Sequence, residues 1–191
     1  MPGLLKALAI AVEQGLDLPV VYNTNGYESS DTLELLDGIV DVYLPDLKYA
    51  SNREALKYSD AENYVEKARA AILEMHSQVG NLVVDVQGRA VRGLILRHLI
   101  LPGDVSGARE TLMWVRDNFP LTVTLSLMAQ YAPLHRSRHF PPIDRTITWE
   151  EYERAVDMAW DLGFQNAFVQ DMKAQETGIP DFHLSEPFKW E

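Results

Sequence analysis

The chain of 191 residues contains no cysteine, so disulfides, thiolate zinc sites, cysteine nucleophiles and cysteine-ligated iron–sulfur clusters cannot be built from it. Basic residues are scarce. Seventeen Lys and Arg stand against 28 Asp and Glu, a net charge of −11. A field of that sign repels a phosphate backbone, which argues against nucleic acid as a partner. Long apolar runs are missing too. The longest, residues 94–101, is interrupted by Arg97 and His98 and falls far short of the roughly 20 residues that cross a bilayer. Residues 1–15 lack the basic start, unbroken apolar stretch and small-residue cleavage site of a secretory signal, so the expected compartment is the cytoplasm, with no membrane partner. Glycine-rich phosphate loops, G-x-S-x-G and H-E-x-x-H are likewise absent. What is present, 47% hydrophobic and 24% charged residues, fits one globular domain over residues 1–191.

Apolar, β-branched runs alternate with helical periodicity, the pattern of parallel α/β units. The spacing predicts an opening helix over 4–13, stopped by Gly15. Val20-Val21-Tyr22 reads as a strand running into the turn-forming Asn23-Thr24-Asn25-Gly26, followed by a short helix over 31–36. A second strand over 39–44 meets Pro45, where regular pairing is expected to stop. Ser59 and Glu62 have capping-box spacing ahead of a long helix to about His76 that presents Ala68, Ile72 and Met75 on one side. Residues 81–92, with Asp85-Val86-Gln87-Gly88 as the turn, predict a small hairpin inserted before the apolar strand 94–101. A helix over 108–118, a strand over 121–127, a proline-bearing loop over 130–145, a helix capped by Thr148 and Glu151, and a strand over 166–169 complete the order. The tail 171–191 carries no firm assignment. The expected fold is an incomplete parallel (β/α) barrel of about five strands, too short for the roughly 250 residues of a full one. Its first strand would be an open edge able to pair with another chain or a second copy.

Ligands of such folds meet the C-terminal ends of the strands, so the residues there are the candidates. Asp46 and Lys48 share a strand face and could grip a zwitterionic ligand or simply close the strand end as an ion pair. Arg97 inside an apolar strand needs a partner, which leaves a site role and an internal salt bridge both open. His135 and His139 have the spacing of a helical metal pair, but Pro133, Pro141 and Pro142 surround them and favour an exposed loop. Residue chemistry alone therefore assigns no catalytic residue and no metal ligand.

Four segments taken in order carry a resemblance: Tyr22-Asn23-Thr24-Asn25-Gly26-Tyr27, Val42-Tyr43-Leu44-Pro45-Asp46-Leu47-Lys48-Tyr49, Leu96-Arg97-His98-Leu99-Ile100-Leu101-Pro102-Gly103 and Met128-Ala129-Gln130-Tyr131. Together they resemble the radical S-adenosylmethionine enzymes, and more narrowly the branch similar to pyruvate formate-lyase-activating enzyme, in collinear order from about residue 19 to 170. The resemblance implies a partial (β/α) barrel in which a C-x-x-x-C-x-x-C loop holds a 4Fe-4S cluster. S-adenosylmethionine bound to the open iron is cleaved reductively to a 5'-deoxyadenosyl radical, which in activating enzymes takes hydrogen from a glycyl-radical enzyme or a related substrate. By motif position it implies that Asp46 and Lys48 match the family's D-x-K, that Arg97 matches the strand-five arginine, and that Asn23, Asn25 and Tyr131 (or Gln130 in its place) stand at further ligand-contacting positions. The cluster loop and the glycine-rich grip for the ligand's amino group would lie before residue 1 in the family layout. The chain is therefore expected to be the C-terminal portion of such a protein and inactive alone. The other reading is a non-catalytic interaction module that pairs through its open edge.

Overall fold

A computed structural model describes residues 1–177. Six strands form: β1 (Val21–Thr24), β2 (Val42–Pro45), β3 (Val83–Val84), β4 (Ala90–Leu99), β5 (Thr124–Met128) and β6 (Asn166–Val169). The helices are α1 (Pro2–Glu13), α2 (Ser30–Glu34), α3 (Asn52–Ser59), α4 (Tyr64–Val79), α5 (Ala108–Asn118), α6 (Trp149–Asp161) and the short α7 (Ala174–Thr177). Five strands run parallel in the order β1-β2-β4-β5-β6, as the alternating pattern predicts, with helices in the connections. No helix among the described residues is long and apolar enough to cross a membrane.

Strand parity separates two faces. Tyr43, Leu94, Leu96, Leu125 and Leu127 are fully buried against Ile72 and Met75 of α4, Leu112 and Val115 of α5, and Ala155 and Ala159 of α6. The opposite parity places Leu44, Asp46, Ile95, Arg97 and Ser126 together on the other face. The core thus lies between sheet and helices, and the polar residues collect on the second face toward the C-terminal strand ends.

Several boundaries differ from the sequence reading for identifiable reasons. Ser59 and Glu62 do not form a capping box. Ser59 is the last residue of α3, a helix that the sequence reading did not separate, and its hydroxyl bonds that of Tyr49 at 2.8 Å. The first turn of α4 is satisfied from a distance, Val65 N donating to Asn52 Oδ1 at 2.8 Å. Ile39 lies in a turn rather than a strand, its amide donating to Leu36 O at 3.0 Å. The hairpin is continuous with the strand it precedes. Val83 and Val84 pair antiparallel with the first residues of β4, and the chain crosses into the parallel sheet at Gly93. Gly93 has φ of +118°, and a Cβ there would press on the Asn81 carbonyl and lie 2.5 Å from Leu82 Cα, so only glycine fits. The expected bounds of α5 and β6 match those observed, and the part of the 171–191 tail beyond residue 177 lies outside the described residues.

Candidate ligand site at the strand ends

β2 ends at Pro45, and the next residue, Asp46, still bridges to Arg97 of β4. That bridge puts both side chains on one face. Arg97 Nε donates to Asp46 Oδ1 at 2.7 Å, and its Nη2 lies 2.5 Å from the same oxygen. Lys48 Nζ is 3.3 Å from Asp46 Oδ2. The three residues expected at the site are therefore brought together around one carboxylate, which is 7% exposed. One carboxylate faces two cations, leaving an excess positive charge. Lys48 uses one of its three donors on Asp46, and Arg97 two of its five, so both retain donors for an incoming anion. The side chain of Lys48 is one third exposed, which keeps that capacity accessible.

The turn after β1 is built onto the same place. Gly26 has φ of +76°, and a Cβ on it would collide with the Asp46 carbonyl oxygen. Thr24 Oγ1 accepts from Gly26 N at 3.2 Å and donates to Glu28 Oε1 at 2.6 Å, while Asn25 Oδ1 accepts from Tyr27 N at 3.0 Å. Asn25 thus shapes its own turn, and Asn23 stands exposed on the edge strand; neither bonds the Asp46 cluster.

Tyr64, which the sequence reading did not single out, locks the backbone of the D-x-K segment. Its hydroxyl accepts from Lys48 N at 2.8 Å and donates to Asp46 O at 3.1 Å. The ring is buried, stacked on Tyr27 at 5.9 Å and edge-on to Tyr49 at 5.5 Å. Burial pushes its phenol pKa well above the ordinary value, so it serves as a neutral hydrogen-bonding post. The only sequence signal is an aromatic residue opening α4, the second helix after the motif.

His98, next to Arg97, points to the helix side. It is buried, and since a carbonyl can only accept, its Nδ1–H donates to Leu47 O at 2.5 Å. Its Nε2 is buried without a partner. Burial pushes the imidazole pKa down, so the ring is neutral. Tyr131 clasps the following loop instead of reaching the cluster, its hydroxyl donating to Ile143 O at 2.6 Å. Gln130 accepts from Gln170 Nε2 at 3.0 Å. His135 and His139 bound a short 3₁₀ turn, not an α-helix, and are exposed. Among the described residues no group of three or more His, Cys, Asp or Glu is placed to hold a metal ion.

No protein-family model matches the sequence. An uncharacterized protein of Methanocaldococcus jannaschii is 30% identical over 159 residues, 83% of this chain and 43% of the relative, so the chain spans less than half the length of the curated protein it matches. A domain of pyruvate-formate lyase-activating enzyme from Bacteroides vulgatus superposes with a TM-score of 0.59 over 89% of this chain and 91% of that one, at 13% identity. The described chain thus has the α/β fold of that activating-enzyme domain.

Proposed function

We propose that this chain forms the S-adenosylmethionine-binding strand ends of a radical S-adenosylmethionine protein of the activating-enzyme kind. The observation that carries the reading is the convergence of Asp46, Lys48 and Arg97 at the C-terminal strand ends, toward which the Thr24-Asn25-Gly26 turn also packs, in a fold shared with an activating-enzyme domain. The donor set fits the ligand. Lys48 and Arg97 offer spare N–H groups to a carboxylate or to ribose hydroxyls, and Asp46 holds both cations in place. Tyr64 fixes the backbone from which Asp46 and Lys48 project, and Asn23, on the exposed strand, adds a polar group at the same sheet face. Tyr131 lies past the end of β5 with its hydroxyl on Ile143 O, in the loop that this reading assigns to the substrate.

The 4Fe-4S cluster does not fit this chain, which has no cysteine. A cysteine-bearing segment outside these 191 residues would hold it. When bound beside such a cluster, S-adenosylmethionine supplies radical chemistry for hydrogen abstraction, as in glycyl-radical activation or a related reaction. The residues of this chain bind and orient it. Titration calorimetry with S-adenosylmethionine tests the reading: Lys48→Ala should weaken binding by about 1–3 kcal/mol, the scale of a lost charge-assisted hydrogen bond. Equal heats for wild type and variant would remove the assigned role.

A second reading is an interaction module that pairs through an open edge. It is favoured by the exposed edge of β1, where Val21 is 52% exposed, and by α1, which buries none of its residues and exposes Leu4, Ile10 and Val12.

A further inference from the structure

The loop after β5 and helix α3, which follows β2, enclose a cleft of about 660 Å³. Both elements leave the C-terminal ends of parallel strands, the side on which Asp46, Lys48 and Arg97 lie. Cations and apolar side chains line the cleft together: Lys57 and Arg136 with Leu56, Phe140 and Ile143, and His135 beside them. Asp60 stands at the same wall and is the one carboxylate among the lining residues. The two full cations rest on aromatic rings. Lys57 Nζ sits 4.5 Å from the Tyr58 ring centre, donating to the Tyr58 hydroxyl at 2.8 Å, and the Arg136 guanidinium lies 5.9 Å from the Phe140 ring. Among the described residues neither forms a salt bridge.

The chain as a whole carries 28 carboxylates to 17 cations. Between Asp117 and Asp144 the sequence holds no acidic residue, yet Arg136, Arg138, His135 and His139 fall inside that interval. The loop side of the cleft thus contributes no carboxylate, and Asp60 on the α3 side is the one among the lining residues. A volume of this size is that of a small-molecule site, and the mixture of apolar wall and unpaired cations suits a ligand with one charged end.

We propose that this cleft binds a small organic anion, its carboxylate or phosphate held by Lys57 and Arg136 and its apolar body laid against Leu56, Phe140 and Ile143. The inference stands on the chemistry of the cleft and does not depend on whether the strand ends bind S-adenosylmethionine.

Calorimetric titration with phenylacetate, phenyl phosphate and neutral benzyl alcohol tests it, using wild type, Lys57→Ala, Arg136→Gln and, as a charge control, Lys6→Ala on exposed α1. At least one anion should bind wild type and Lys6→Ala alike. Binding should fall about tenfold in each cleft variant, the scale of one charge-assisted hydrogen bond, and benzyl alcohol should give no comparable heat. The tighter of the two anions identifies carboxylate or phosphate as the recognised group. Lys57 and Arg136 are exposed, so their replacement leaves the core intact, which circular dichroism checks. The proposal is overturned if neither anion binds wild type, if benzyl alcohol binds as well as the anions, or if both cleft variants bind like wild type.

Discussion

Arg97 and His98 are adjacent on β4, point to opposite faces and meet opposite electrostatic surroundings. Arg97 is paired with Asp46, whereas His98 is enclosed by apolar packing with one ring nitrogen bonded to Leu47 O and the other unpartnered. The lowered imidazole pKa makes the fold sensitive to acid. An unfolded histidine takes up its proton as pH falls through about 6.5, and the folded one resists it. Stability is therefore fully present above that value and declines as pH drops below it toward the depressed folded value. Denaturant unfolding at neutral and mildly acidic pH should show this loss. His98→Asn, whose amide nitrogen can replace Nδ1–H, should flatten the pH dependence; an unchanged slope would show that His98 is not its source.

At the scale of elements, α6 is anchored by one carboxylate serving several neighbours. Glu151 accepts from Thr148 N at 2.9 Å within the capping box, from Gly103 N at 2.8 Å, and from Arg145 at 2.8 Å on each oxygen. It thereby joins the helix start, the turn after β4 and the end of the long loop. The Arg145 hydrogen bonds bring its pKa down to about 2 from an ordinary 4.5, so its stabilisation is complete above 4.5 and lost as pH falls toward 2. Glu151→Gln should cost about 1–3 kcal/mol at neutral pH and show a smaller further loss on acidification, both read from denaturant midpoints. Legibility in the sequence follows the same divide between local and distant bonding. Thr148 and Glu151 satisfy each other three residues apart, so their box could be read directly, while Ser59 and Glu62 share the spacing but the α4 amide is taken by Asn52. Asp46, Lys48 and Arg97 were legible because parity and the cost of a buried guanidinium both act along a strand. The Tyr64 hydroxyl and the Gly26 contact to Asp46 were not, because each joins segments that only the tertiary fold brings together.

At the scale of the molecule, the described sheet ends in two edges rather than closing. The β1 edge exposes Val21 and the β6 edge exposes Phe168 and Val169, apolar residues where solvated edges ordinarily carry charge. Under the leading reading, protein outside these 191 residues covers β1, which accords with the relative whose length extends well beyond the matched 43%. Under the module reading, a second copy covers it, and then the net charge of −11 on each copy opposes the contact. Salt separates the two, because it screens that repulsion while leaving apolar burial intact. Self-pairing predicts a dimer in sedimentation velocity that grows with protein concentration and with salt, and that Val21→Lys abolishes by placing a charge on the pairing edge. A species that stays monomeric in high salt at every concentration removes self-pairing, and leaves the exposed β1 edge as a surface for a different stretch of protein.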